Sequence, residues 1–252
     1  MTPMKLATWN VNGIRARQAE VQELLDREQP DVLCLQEIKA SVDQLPVWLS
    51  DLDGYWCHWH GDKGYSGVGL HLRKSTWPER PSLDHPPFDF EHRIVTAHLP
   101  QATVASLYVP NGGKDFAAKV RFLQALDAFA AECHAAGSPL LLCGDMNVTR
   151  TDLDVHPKER RPGVVGQRPD ERALIEQILS RGLVDVHRAA DPDNAELFTW
   201  WAPWRNMKAR NIGWRLDYIF ASQALAARVT SCLVQREFGT SDHGPVIAVL
   251  EI

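Results

Sequence analysis

The chain has 252 residues, 44% of them hydrophobic and 23% charged, with a formal net charge of −5. That composition is ordinary for a water-soluble fold, and the acidic balance does not mark a general nucleic-acid binder. The five cysteines are scattered with no C-x-x-C pair, which argues against a zinc knuckle or a disulfide framework and for a reducing, cytoplasmic setting.

Elements follow in chain order. The N-terminus turns polar within nine residues, too soon for a signal-peptide core, and a strand is predicted at 5–9. A helix at 16–27 carries Val21, Leu24 and Leu25. Strands follow at 31–36, 67–72, 93–99 and 103–109. The helix at 116–136 has Phe122, Leu126, Phe129 and Cys133 on one stripe. A strand at 139–144 ends on Gly144, expected to let the backbone turn tightly. Residues 150 to 169 show no period, which marks a functional or mobile loop. A helix at 170–181 carries Leu174, Ile175, Ile178 and Leu179, with Asp170 as N-cap and Gly182 just past its end. Strands at 216–220 and 246–252 complete the pattern. No apolar run reaches the ~20 residues of a membrane helix. Several strands are apolar nearly throughout, as strands covered on both faces are. The prediction is one α/β domain over 1–252 with buried sheets and outer helices.

Polar clusters stand where the apolar runs stop. They are Asn10 and Asn12; Gln36, Glu37 and Lys39; Tyr108 and Asn111; Asp145 and Asn147; Asp217; and Ser241, Asp242 and His243. Each has an ordinary alternative: Asn and Asp form turns, a Glu is solvated, a Tyr belongs to a core. Asp217, flanked by Leu216 and Tyr218, is the hardest to dismiss, because an acid in a buried strand is costly unless paired. Six such clusters at strand ends are unlike six accidents.

Together they suit metal-assisted attack of water on a phosphate. Glu37 and Asp242 are hard oxygen ligands of the kind Mg²⁺ takes. Asp145 is placed to orient or deprotonate the water. Asn147 and His243 are donors for the developing charge. Asp217 is suited to hold the His243 ring and favour its charged form.

At these residues the chain resembles the exonuclease III family of AP endonucleases, within the endonuclease/exonuclease/phosphatase superfamily that includes DNase I. The motifs "WNVNG", "LCLQEIK", "GYSGVGL", "YVPNGG", "LCGDMNV", "GWRLDYIFAS" and "SDHGP" run in family order across nearly the whole chain. The resemblance implies a four-layer α/β sandwich, two facing mixed β-sheets flanked by helices. It implies Mg²⁺, replaceable by Mn²⁺, held chiefly by Glu37, with Asp242, Asn12, Asp145 and Asn147 in the ligand set and Lys39 beside it. Some relatives carry Asp at the position of Asn12. It also implies that Asn10 orients Asp145, that Asp217 pairs with His243, and that Tyr108, Asn111, Asn147 and His243 contact the scissile phosphate. The implied reaction is cleavage 5′ to abasic sites in duplex DNA, with 3′→5′ exonuclease, 3′-phosphatase and 3′-phosphodiesterase activities, by a monomer without membrane contact.

Four of the nine tryptophans crowd into "FTWWAPWRNMKARNIGW", a stretch with no acid. Trp201 is assigned to the core. Trp200, Trp214 and Leu216 match the family's abasic pocket and Trp204 its duplex wedge. Arg205, Lys208 and Arg210 are predicted to hold phosphates, with Lys39, Lys63, Tyr65, Lys114 and Arg150 as further DNA contacts. This loop argues against a superfamily member acting on inositol phosphates, sphingomyelin or RNA tails. The complete set of catalytic positions argues against a scaffold that has lost catalysis.

Overall fold

A computed structural model describes residues 3–251 of the chain. In order they form β1 (Pro3–Asn10), α1 (Gln18–Glu28), β2 (Val32–Gln36), α2 (Val47–Ser50), β3 (Tyr55–Asp62), β4 (Tyr65–Arg73), β5 (Ser82–Asp84), β6 (Ile94–His98) and β7 (Thr103–Tyr108). They continue through α3 (Phe116–Ala135), β8 (Leu140–Asp145), α4 (Pro169–Leu179), β9 (Leu183–Asp185), α5 (Val186–Ala190), β10 (Asp217–Ser222), α6 (Gln223–Ala226), β11 (Val229–Val234) and β12 (Val246–Glu251). Ile252, counted in the last predicted strand, lies outside the described residues.

Two six-stranded sheets result, in the orders β11-β12-β1-β2-β4-β3 and β5-β6-β7-β8-β10-β9. Each has one parallel pair, β1 with β2 and β7 with β8, joined by the crossover helices α1 and α3. The sheets face each other across a core that includes Leu6, Cys34, Val104, Leu141 and Ile219. Helix α1 covers the outer face of the first sheet, packing Val21 and Leu24 near Trp9 and Leu35. Helices α3 and α4 cover the second, packing Phe122, Leu126, Ile175 and Ile178 near Leu142 and Phe220. The four-layer α/β sandwich stands. Among the described residues no helix is long and apolar enough to cross a membrane.

All eight predicted strands are present within two residues at each end. Four more were not legible: β3, β5, β9 and β11. β3 and β11 border the first sheet, β5 and β9 the second, and edge strands need no continuous apolar run. Local boundaries also differ. Residues 14–16 form a separate 3-10 turn before α1. Arg168, not Asp170, stands at the start of α4, because Pro169 takes the first helical position, where its missing N–H costs nothing. The Glu171 side chain then accepts from the Arg168 N–H at 3.0 Å. The 150–169 segment contains two 3-10 turns and is pinned: Thr149 N–H donates to Gly166 O at 2.7 Å and His156 N–H to Gly213 O at 2.9 Å.

Gly144 serves a different purpose from the one expected. It lies inside β8 at φ +149°, and a Cβ there would collide with the carbonyl oxygen of Leu107 on β7. The close approach of the two strands demands glycine, not a turn. Gly144→Ala should cost about 3 kcal/mol, the upper range for single substitutions. Urea melts should show a lower midpoint at unchanged slope.

Candidate active site

Strand alternation and register bring the site together. On β8, Leu141 and Cys143 face the inter-sheet core, so Asp145, two further on, faces the same way. On β10 the inner series is Asp217, Ile219, Ala221, and on β7 it is Val104, Ser106, Tyr108. Pairing sets Tyr108 opposite Asp145, and Asp145 opposite Asp217. Three adjacent strands thus end in one row of polar side chains. From the other sheet, Asn10 donates its amide to Asp145 Oδ2 at 2.9 Å.

This row carries buried charge. Asp145 and Asp217 are almost fully buried. His243 Nδ1 meets Asp217 Oδ2 at 2.8 Å, and its Nε2 lies 3.9 Å from Asp145 Oδ2. Burial opposes a charged imidazole, but Asp217, with Asp145 and Asp242, outweighs it and lifts the His243 pKa to about 10. Burial and the neighbouring Asp217 push Asp145 up to about 7, against His243, the Asn147 N–H and the Asn10 amide. His243 is therefore a fixed cation, and Asp145 titrates near neutrality. Thr199 Oγ accepts from the Leu216 and Asp217 N–H groups at 2.9 and 3.0 Å, securing the start of β10.

Asn147 follows Asp145 in the left-handed region, at φ +51°. Its N–H donates to Asp145 Oδ1 at 2.8 Å, and its side-chain amide donates to Val109 O and Asp145 Oδ2 at 2.9 and 3.3 Å. Both amide hydrogens are thus engaged within the protein. The exposed Asn111 donates to Asn147 Oδ1 at 3.2 Å.

A second cluster is built from oxygen. Tyr108 donates to Glu37 Oε1 at 2.5 Å. Burial and the Glu37 and Asp145 charges keep that phenol well above its usual pKa, hence neutral. Lys39 Nζ lies 3.6 Å from Glu37 and donates to Asn12 Oδ1 at 2.6 Å. Asn12 in turn donates to Asp242 Oδ1 at 2.8 Å, and Trp200 Nε1 to Asp242 Oδ2 at 3.0 Å. Burial works against the Asp242 charge, but His243, Asn12 and Trp200 together hold its pKa below the ordinary range. Glu37, Asp242 and the Asn12 amide are hard oxygen donors and fit a divalent cation of the Mg²⁺ or Ca²⁺ type. Asp145, Asp217 and His243 are also close enough to share an ion, yet a protonated imidazole has no lone pair to give. That trio is better described as an ion pair with a neighbouring base.

A cavity of about 310 Å³ opens between the clusters, lined by Glu37, Tyr108, Asn111, Asp145, Asn147, Asp242 and His243. Trp200, Trp214 and Leu216 form its apolar side, the two indoles meeting edge to face at 5.6 Å.

Residues 7–243 match the endonuclease/exonuclease/phosphatase family. The chain belongs to that family. It is 31% identical over 255 residues to the exodeoxyribonuclease of Bacillus subtilis, covering 99% of this chain and all of that one. It is 32% identical over 257 residues to the DNA repair nuclease APEX1 of Danio rerio, covering 99% of this chain and 83% of the relative. It spans only 37% of the longer Recombination repair protein 1 of Drosophila melanogaster. The AP endonuclease of Archaeoglobus fulgidus has the same fold, with TM-score 0.83, 32% identity and coverage of 99% and 100%. So does the 3′ phosphatase NExo from Neisseria bound to a product DNA hairpin, with TM-score 0.89, 30% identity and the same coverage. The chain is a nuclease of this hydrolase family.

The residues expected to be catalytic converge on one cavity, whereas the basic residues divide into two kinds. Lys63, Lys114, Arg205 and Arg210 are exposed. Trp204 is 58% exposed, and Trp201 is buried as expected. Tyr65 is exposed, its hydroxyl accepting from Arg93 at 2.9 Å. Arg150 is engaged internally, at 2.5 Å from Glu176 and 3.5 Å from Asp185. Lys208 turns inward to the carbonyls of Phe238, Gly239 and Ser241. Arg215, the residue directly after the acid-free stretch, is fully buried between Asp154 and Asp185.

Two supporting residues were missed. Arg93 is buried with its guanidinium 4.9 Å from the Tyr108 ring centre. Lys119 is buried, pairs with Glu171 at 2.5 Å and donates to Asn147 O at 2.7 Å. A signal existed for Lys119, which stands three residues before Phe122 on the apolar stripe of α3, where a charge must be paired.

The raised His243 pKa adds stability that is fully present below about pH 6.5 and lost as pH rises toward 10. NMR titration of the His243 ring should show it charged through pH 8. In Asp217→Asn the midpoint should fall to or below the ordinary imidazole value, since the burial cost remains. An unmoved midpoint would refute the pairing.

Proposed function

We propose that this chain is a divalent-metal-dependent DNA repair phosphodiesterase that cuts duplex DNA 5′ to abasic sites and processes 3′ ends as exonuclease, 3′-phosphatase and 3′-phosphodiesterase. The observation that carries the reading is the cavity itself. A polar wall of Asp145, His243, Tyr108 and Glu37 faces an apolar wall of Trp200, Trp214 and Leu216. The polar wall suits a phosphate; the apolar wall suits a sugar without its base.

Asp145 acts as the base that takes a proton from the attacking water. A carboxylate with pKa near 7 is matched to that task at physiological pH. Asn10 and the Asn147 N–H hold it in place. Charged His243 donates from Nε2 to the phosphate oxygens as negative charge builds, and Asp217 keeps that ring oriented and protonated. Asn111 and Tyr108 complete the phosphate contacts. Glu37, Asp242 and Asn12 hold Mg²⁺, with Mn²⁺ able to substitute. Once bound, the ion supplies charge neutralisation at the phosphate and leaving oxygen.

The duplex runs along a groove through the cavity. On one side lies a 640 Å³ hollow lined by Tyr65, Arg93, Lys114 and Arg121, sharing Glu37, Tyr108 and Asn111 with the catalytic cavity. On the other lies a 500 Å³ hollow lined by Arg17, Arg205 and Lys208, sharing Asp242. The exposed Lys114 on one flank and Arg205 on the other suit phosphates on either side of the cut. The chain works as a monomer in the cytoplasm, on cellular DNA.

A labelled duplex with one abasic site, incubated with Mg²⁺ or EDTA, tests the reading. Cleavage 5′ to the site, abolished by EDTA, is expected; hydrolysis of an inositol polyphosphate alone would overturn it. Glu37→Ala should lower kcat/KM by about 10²-fold or more and regain part of it at high Mg²⁺. Full activity of that variant at low Mg²⁺ would remove Glu37 from the metal site. Trp204→Ala should weaken abasic-duplex binding by about tenfold with little change in melting temperature, because the ring contributes to no core.

A further inference from the structure

Four of the ten histidines gather where the outer strands of the two sheets come together. His58 and His60 stand two apart on β3, so strand alternation puts both on one face. His85 follows β5, and Asp89 and His92 lie in the turn that leads into β6. One ligand atom each from His60, His85 and Asp89 lies within 4.8 Å of the others. His58 Nε2 is 3.2 Å from His85 Nε2. The ring centres of His60 and His85 lie 3.8 Å apart with their planes tilted by 32°, and His92 closes edge-on against His60 at 4.6 Å.

We infer that His60, His85 and Asp89, with His58 set against His85, form a zinc-binding clamp between the two sheets, separate from the catalytic cleft. Outer contacts already hold two of the ligands. His85 Nδ1 lies 3.3 Å from the Ile94 carbonyl, so Nδ1–H donates there and the Nε2 lone pair turns toward His58. Metal-bound imidazoles use this outer contact to set their tautomer. Asp89 Oδ1 accepts the Arg93 and Ile94 N–H groups at 2.8 and 3.1 Å, which fixes the carboxylate and leaves Oδ2 to His60.

The spacing also fits. Two nitrogens bound tetrahedrally at ~2.0–2.1 Å from zinc sit roughly 3.3 Å apart, close to the observed 3.2 Å. His60 and Asp89 are nearer, at 2.6 Å, because a hydrogen bond joins them. An entering ion takes the place of that hydrogen, which leaves to solvent, and separates them by roughly 0.7 Å. Three imidazoles and one carboxylate prefer a borderline ion such as Zn²⁺ to Mg²⁺. The oxygen set around Glu37 has the opposite preference.

The clamp has a mechanical consequence. Asp89 holds the backbone of Arg93, whose guanidinium lies against the Tyr108 ring and donates to the Tyr108 carbonyl at 3.4 Å. An ion at this edge ties the 85–93 turn to β3 and steadies a residue that borders the cleft.

The test uses the full chain, stripped with a chelator and then titrated with Zn²⁺ and with Co²⁺ in saturating Mg²⁺. One equivalent of Zn²⁺ should bind, and Co²⁺ should give the intense visible bands of a four-coordinate nitrogen and oxygen site. His58→Gln/His85→Gln should lower Zn²⁺ affinity by more than about a hundredfold and abolish those bands. Glu37→Gln should leave both unchanged. If the double variant does not fold, His85→Asn alone gives the same two readings, since that side chain is exposed. Zn²⁺ affinity equal to the parent in the histidine variants would overturn the clamp. So would six-coordinate Co²⁺ spectra, or loss of the zinc site in Glu37→Gln instead.

Discussion

Two carboxylates face each other across the pairing of β8 and β10, and much of the surrounding structure answers the cost of burying them. Asp145 and Asp217 sit in register at the ends of apolar strands, away from bulk water. Isolated, each would be neutralised or expelled. His243 makes the arrangement tenable by placing a cation against Asp217, and the Asn10 amide and Asn147 N–H complete the solvation of Asp145. The residual imbalance suits the proposed chemistry. Asp217, compensated by His243, keeps a histidine charged. Asp145, compensated only in part, has its pKa pushed well up by burial and by Asp217, which suits the base proposed for it. One short row of residues thus separates the roles of two chemically identical side chains.

The supports behind that row are themselves buried ions. Lys119 and Glu171 tie α3 to the start of α4 and, through Asn147 O, to the loop after β8. Arg215 joins Asp154 to Asp185 and so fastens the 150–169 segment beside β10. Such pairs add little net stability, because desolvation offsets their attraction. Their geometry is directional, however, and an apolar contact would not hold a backbone carbonyl in one place. Arg93 does similar work for Tyr108 from the side of the second sheet. The cost of these ions is carried by the three apolar layers, between the sheets and beneath the helices on each side.

Metal chemistry divides by donor type. The cleft gathers oxygen from Glu37, Asp242 and Asn12, while the sheet edge gathers imidazole nitrogen from β3 and the turn after β5. Hard and borderline cations are sorted by that difference and not by charge alone. The two regions meet through Asp89, Arg93 and Tyr108.

Much of the fold and most of the catalytic row could be read from the sequence. Continuous apolar runs marked the buried strands, and helical stripes marked α1, α3 and α4. The polar residues that end those runs are strong local signals, because a buried strand that stops on Asp or Asn requires a reason. Edge strands had no such signal, since half of their surface needs no apolar cover. Nor could the sequence sort the cations. Arg150, Lys208 and Arg215 read like Arg205 and Arg210 until packing showed which have internal partners. The histidine cluster was invisible for the same reason: its members come from β3, the residue after β5 and a turn, which meet only when the two sheets stack. Local hydrophobic pattern therefore determined the elements and where their polar ends fall. Strand register and sheet stacking decided which of those ends touch, how their pKa values separate and which charges face outward, because these depend on distances between residues remote in the chain.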